Sequence, residues 1–155
     1  MTTSTVHFSR KSDCWETPQG LFDRLNDEFE FTTDVCAEPH NKKCDHYFSP
    51  EADGLAQSWS GVCWCNPPYS DSASWIRKAY EASRDGTIVV CLIPARTDTR
   101  YWHDYVMKAD EVRLVKGRLR FVGGKTCAPF PSAVVVFRPT PRTRPIVRSW
   151  DWRAS

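Results

Sequence analysis

Asn66-Pro67-Pro68-Tyr69 follows the apolar stretch "VCWC" (62–65), and here the residue types point most directly to chemistry. Proline lacks a backbone N–H and holds φ at about −65°, so two in succession stiffen the turn and aim the Pro67 carbonyl. The Asn66 side-chain oxygen lies beside that carbonyl, which makes two acceptors for the two hydrogens of one planar amino group. Tyr69 adds a face on which a heteroaromatic ring can stack. An aromatic amine is a weak nucleophile because its lone pair is delocalised into the ring. Acceptors on both N–H bonds let that pair localise, so that a carbon electrophile held opposite can be attacked. A stiff turn carrying a packed tyrosine is the plainer alternative for the same four residues.

The elements that must position this turn carry their own signals. Thr17 is the expected N-cap, and Pro18 the first residue, of a helix with Leu21, Phe22, Leu25 and Phe29 at helical spacing. The strand "FEFTTDVCA" is expected to end near Asp34, and residues 38–60 are polar and broken, with room for short elements only. "GVCWC" reads as a buried strand running into the turn. "SASWIRKAYEASRDG" reads as a helix that stops at Gly86. "TIVVCLIP" is apolar on both faces, as a strand inside a parallel sheet is. "TDTRYWHDYVMKA" is expected to be helical with Thr97 or Asp98 as its cap, and "EVRLV", "RLRFV" and "SAVVVFR" to be strands. This alternation predicts an α/β domain of three layers with a mainly parallel sheet. Ligands of such sheets bind beyond the carboxyl ends of the strands, where Asp34, Asn66 and Pro94 all fall.

The 155 residues suffice for one domain whose core needs no covalent staples. No apolar run approaches the roughly 20 residues that span a bilayer, and no apolar signal core opens the chain, so cytoplasmic residence is expected. Seven cysteines without a C-x-x-C pair read as reduced thiols. A zinc site would draw on Cys36, Cys44, His46, Cys63 and Cys65. The C-x-C pair is expected to point to opposite faces of its strand, so these cysteines are read as small hydrophobes and no metal is assigned. The net charge of +2 conceals an asymmetry: residues 1–61 hold five Lys/Arg against eleven Asp/Glu, and residues 62–155 hold sixteen against eight. Such polarity suits one side turned toward a polyanion. The tail "RPTPRTRPIVRSWDWRAS" has five Arg, one Asp and three Pro. It reads as an extended basic arm able to lie on phosphates.

Taken together, these stretches are similar to a known family. NPPY resembles the catalytic motif of S-adenosylmethionine-dependent amino-methyltransferases. The chain as a whole resembles the small phage-encoded DNA N6-adenine methyltransferases of the Dam type. "WETPQGLFDRLNDEFEFTTDVCAEPHNKKC" (15–44), "ADGLAQSW" (52–59), "NPPYS" (66–70) and "IPARTDTRYWH" (93–103) carry the likeness, with "GRLRF" and "APFPSAVVVF" between 117 and 137. It implies an N-terminal extension (1–12), a Rossmann-like methyltransferase domain (13–138) and a basic Pro/Arg-rich tail (139–155), with no separate target-recognition domain. Asn66, Pro67, Pro68 and Tyr69 are then the catalytic residues. Trp15, Thr17, Pro18, Asp34, Cys36, Ala37, Asp53, Gly54 and Asn66 are the implied cofactor contacts. Thr17-Pro18 would border the methionine end of S-adenosylmethionine, and Asp53 would accept from its adenine amino group. Glu38 and Asp45 are the candidates for its ribose, and the first loop has no Gly-x-Gly. DNA is the implied partner, with Arg96, Arg100, Arg118, Arg120 and Lys125 as phosphate contacts and loops such as 94–104 and 116–130, or the basic tail, reading sequence. The expected reaction moves a methyl group from S-adenosylmethionine to N6 of a flipped-out adenine, in the cytoplasm of a bacterial host. Cytosine N4, an RNA base or a protein glutamine remain open as substrates of the same chemistry, and a non-catalytic DNA-binding protein as the other class.

Overall fold

A computed structural model describes residues 15–124, 126–140 and 143–154. The strands are β1 (Thr33–Asp34), β2 (Val62–Cys65), β3 (Ile88–Pro94), β4 (Glu111–Val115), β5 (Ser132–Phe137) and β6 (Ile146–Trp150); the helices are α1 (Gln19–Phe29), α2 (Ser72–Arg84) and α3 (Arg100–Asp104). All six strands join one sheet in the order β1-β2-β3-β5-β4-β6. β1–β2, β2–β3 and β4–β6 are parallel, whereas β5 is antiparallel to both β3 and β4. Parallel pairs therefore dominate a mixed sheet.

The period-two alternation of the central strands divides the core into two faces. Cys63, Cys65, Val89, Cys91, Ile93, Val135 and Phe137 pack with Trp75, Ile76 and Ala79 of α2 and with Trp102 of α3. Trp64, Val90, Leu92, Val134 and Val136 pack on the other side with Leu21, Phe22 and Leu25 of α1. These are the three expected layers, a Rossmann-like α/β arrangement in abridged form. β3 and β5 are covered on both sides, which is why their sequences read apolar throughout.

The C-x-C expectation is wrong in its geometry. Cys63 and Cys65 share one face because strand residues two apart must, and Trp64 faces the other way. Burial pushes the Cys63 thiol up to about 12 and the Cys44 thiol up to about 11, so both stay protonated. Among the described residues no group of three His, Cys, Asp or Glu side chains could hold a metal ion, and no helix is long and apolar enough to cross a membrane.

Four further expectations shift. α1 starts at Gln19 with Pro18 in the cap position, because the Thr17 hydroxyl is engaged elsewhere. α3 is capped by Thr99, whose Oγ1 accepts from the Trp102 N–H at 3.4 Å, rather than by Thr97 or Asp98. "RLRFV" is no strand. Past Gly117 (φ +77°) the chain folds over the α1 face, burying Leu119 and Phe121, and the Leu119 carbonyl accepts from the Ala128 N–H at 2.7 Å. Its alternation is real, but it pairs with its own loop rather than with the sheet.

The basic tail is the largest correction. Ile146–Trp150 is a sheet strand, with Val147 level with Val112 of β4. Arg148 Nε donates to Glu111 at 2.8 Å, and Trp150 and Trp152 pack against the α1-side core. Nearby, Arg113 donates twice to Glu28, at 2.9 and 2.7 Å, and twice to Glu111, at 2.7 and 3.3 Å, tying α1 to β4. The three prolines that argued against a helix all precede β6, and nothing about Pro145 prevents a strand from starting after it.

Candidate active site

β1, β2 and β3 are parallel, and β5 is antiparallel to both β3 and β4, so β4 and β6 point the same way. One rim thus carries the loops after β1, β2, β3 and β4, as the ends at Asp34, Asn66 and Pro94 led us to expect. Pro67 is buried, and Pro68 sits at φ −60° and ψ 125°, with its carbonyl accepting from the Asp71 N–H at 3.0 Å. Two ring-locked φ angles followed by a hydrogen-bonded turn hold the backbone beside Asn66.

The Asn66 side chain shows the most telling geometry. Its Nδ2 donates to the Trp15 carbonyl and, at 2.9 Å, to Thr17 Oγ1. Its Oδ1 is fully buried and has no hydrogen-bond partner among the described residues. A carbonyl can only accept, so the amide nitrogen must face Trp15 and the oxygen must face the opposite way. Leaving a buried acceptor unpaired costs about 1–3 kcal/mol, a cost that a ligand donor would remove.

Tyr69 opens the short turn Tyr69–Asp71 and is half-buried. Its hydroxyl donates to the Leu92 carbonyl at 3.3 Å, and desolvation raises the phenol well above its usual range, so it remains a donor. Phe130 and Phe121 meet the ring edge-on, at 5.6 and 6.3 Å between centroids. Trp15 in turn packs edge-on against both, at 5.3 and 5.4 Å. Tyr69 is therefore set in an aromatic wall drawn from three distant segments. Phe121 and Phe130 had no assigned role from sequence. Both lie in stretches that resemble the family, but their meeting with Tyr69 spans more than 50 residues of chain and has no local signal.

The loop after β1 is shaped by Asp34. One carboxylate oxygen accepts from the Cys36 N–H at 3.2 Å and the other from the Lys43 N–H at 3.0 Å, which closes residues 36–43 into a clip. Ala37 is buried, with its N–H donated to the Phe48 carbonyl at 3.1 Å. Burial raises the Asp34 carboxyl to about 6, against the opposing pull of those two amides. An ordinary unfolded aspartate titrates at about 3.9, so the folded state binds the extra proton between about pH 4 and 6. Stability from this group is accordingly full below pH 4 and is lost as pH rises through 6. Asp34→Asn should remove that fall from a plot of melting temperature against pH, and a variant curve parallel to wild type would sink the assignment.

Asp53 and Gly54 are held against the same loop. Asp53 adopts a left-handed backbone (φ 57°), and its exposed carboxylate makes no hydrogen bond or ion pair among the described residues. A Cβ on Gly54 would lie 2.1 Å from the Val35 carbonyl oxygen, so only glycine permits this approach. Trp59 Nε1 donates to the Gly54 carbonyl at 2.8 Å and its ring stacks on Trp75 at 6.0 Å. Glu38 and Asp45 are both exposed in the loop after β1.

Arg96, Arg100, Arg118 and Arg120 are exposed on segments of this rim. Arg96 lies over the Phe130 ring at 5.7 Å, and Arg118 reaches the Ala128 carbonyl at 3.4 Å. Arg96 thus lies directly against the aromatic wall. Lys125 lies outside the described residues.

An abridged three-layer α/β sheet with an NPPY turn and an unpaired amide oxygen at its rim defines a small amino-methyltransferase. The comparison with known families is more particular. The family model described as DNA N-6-adenine-methyltransferase (Dam) matches residues 4–147, and the chain belongs to that family. The match runs into β6, in keeping with a tail that is part of the fold. The chain is 33% identical over 131 residues to the DNA N-6-adenine-methyltransferase of Haemophilus phage HP1 (strain HP1c1), covering 81% of this chain and 75% of that protein. It is 26% identical over 132 residues to the DNA N-6-adenine-methyltransferase of Escherichia phage T1, covering 74% of this chain and 56% of that one.

Proposed function

We propose that the chain is a DNA N6-adenine methyltransferase that uses S-adenosylmethionine and works on an adenine turned out of the duplex. The buried Asn66 Oδ1, unpaired among the described residues, carries this reading, because it is an acceptor prepared for an N–H that none of them supplies. Inside a duplex N6 is paired and unreachable, so the base has to leave the stack. Tyr69 then receives the ring, while Asn66 Oδ1 and the Pro67 carbonyl accept from the two N6 hydrogens. Both acceptors are set before the base arrives, so little reorganisation accompanies the loss of amine conjugation.

The residues fit the cofactor. S-adenosylmethionine supplies a methyl group on a sulfonium, and its adenine has an amino group that needs an acceptor. Asp53, exposed and without a side-chain partner among the described residues, on a backbone pinned by Gly54, is suited to take that amino group. The clip at Asp34, Cys36 and Ala37 forms the neighbouring wall, and Trp15, Thr17 and Pro18 border the turn that holds Asn66. Arg96, Arg100, Arg118, Arg120 and Lys125 are the proposed phosphate contacts, with loops 94–104 and 116–130 reading the sequence. The host-cell cytoplasm, which holds both substrates, is the proposed site of action.

Incubation with labelled S-adenosylmethionine and mixed-sequence DNA, followed by nucleoside analysis, tests the reading. N6-methyladenine is the expected product. Label confined to N4-methylcytosine, RNA or protein would overturn it.

A further inference from the structure

Asn66 can serve as an acceptor only if its amide is held the right way round, and this requirement involves residues 49 and 51 positions earlier in the chain. We infer that Thr17 is a positioning residue, whose hydroxyl together with the Trp15 carbonyl fixes the Asn66 amide so that Oδ1 faces the substrate amine. The inference rests on the proposed methyl transfer for its consequence in rate, but not for its structural part.

Three observations carry it. Thr17 is only 2% exposed, although it lies just ahead of a helix where a threonine would ordinarily cap. Pro18 occupies the cap position instead, and Thr17 Oγ1 accepts from Asn66 Nδ2 at 2.9 Å. Both amide protons are then committed, one to Trp15 and one to Thr17, and the oxygen is the atom left over. One bond alone would let the amide swing about that contact. Two bonds fix both the plane and the sense of the group. The Trp15 end is itself braced, because its indole is wedged edge-on between Phe121 and Phe130. The aromatic wall that holds Tyr69 and the amide clamp that holds Asn66 therefore share one residue. The buried hydroxyl serves Asn66 first, whatever Thr17-Pro18 also contributes beside the cofactor.

The test is a double-mutant cycle with three readouts on the full chain: melting temperature, cofactor dissociation constant and single-turnover rate on adenine-containing DNA at saturation. Thr17→Val should lower the rate roughly 10–100-fold, the usual loss when a supporting partner or an ångström of alignment goes, while cofactor affinity stays within about threefold. Thr17→Ser should regain most of the rate, because the acceptor returns. In stability, Thr17→Val should cost several degrees in the wild-type background and almost nothing in the Asn66→Ala background, where no amide proton remains to be orphaned. Additive melting shifts, or a Thr17→Val variant that only weakens cofactor binding, would overturn the inference. A wild-type chain that methylates no adenine would instead remove the proposed function, and the stability cycle would still decide whether Thr17 and Asn66 are coupled.

Discussion

Asn66→Ala should lower the single-turnover rate by roughly 10²–10³, the usual loss when one preorganised hydrogen-bonding group is removed from a reacting centre. The amine would keep one acceptor, the Pro67 carbonyl, and its lone pair would stay in the ring. Cofactor affinity should fall far less than the rate, because the proposed acceptor for the cofactor's amino group is Asp53 and Asn66 is one of nine implied cofactor contacts. Stability should also change little, and the magnitudes say why. Truncation gives up two hydrogen bonds, to the Trp15 carbonyl and to Thr17, worth about 1 kcal/mol each. It also removes a buried unpaired acceptor that costs about 1–3 kcal/mol, so the two nearly cancel. Rates measured with DNA and cofactor both saturating, beside a thermal melt, would check this. A variant running near wild-type speed would reduce NPPY to a stiff turn.

Ending the chain at residue 140 should cost most of the domain's stability, and cofactor and DNA binding should fall together. The deletion strips β6 from β4, removes the Arg148 contact to Glu111, and takes away two half-buried tryptophans that cover the α1-side core. Each tryptophan contributes on the order of 1–2 kcal/mol by area, and each lost backbone bond about 1 kcal/mol. The total is at least about 5 kcal/mol, against the roughly 5–15 kcal/mol that holds a domain together. Circular dichroism melts of the shortened chain would show a collapsed or absent transition. A cooperative melt near the wild-type temperature, with loss of DNA affinity alone, would restore the reading of this segment as a phosphate-binding arm.

Much of the candidate site's local geometry was legible in the sequence because neighbouring residues set it. Pro67 and Pro68 constrain their own φ angles, and an asparagine next to a proline-stiffened carbonyl suggests paired acceptors before any fold is known. The three layers were equally legible, since strands with both faces apolar and helices with one apolar stripe leave few other ways to pack. Locality also explains what was misjudged. The tail's arginines and prolines are conspicuous in composition, yet Ile146, Val147 and Trp150 decide its place through β4, a partner that no window around residue 146 contains. The alternation in "RLRFV" was read correctly but attributed to the wrong partner, a loop residue at Ala128. Only tertiary structure could show that the Thr17 hydroxyl leaves its cap position for Asn66, or that Phe121 and Phe130 brace Tyr69. Residue type fixes what a group can donate, accept or bury, whereas the partner that receives it is chosen by packing across the whole chain.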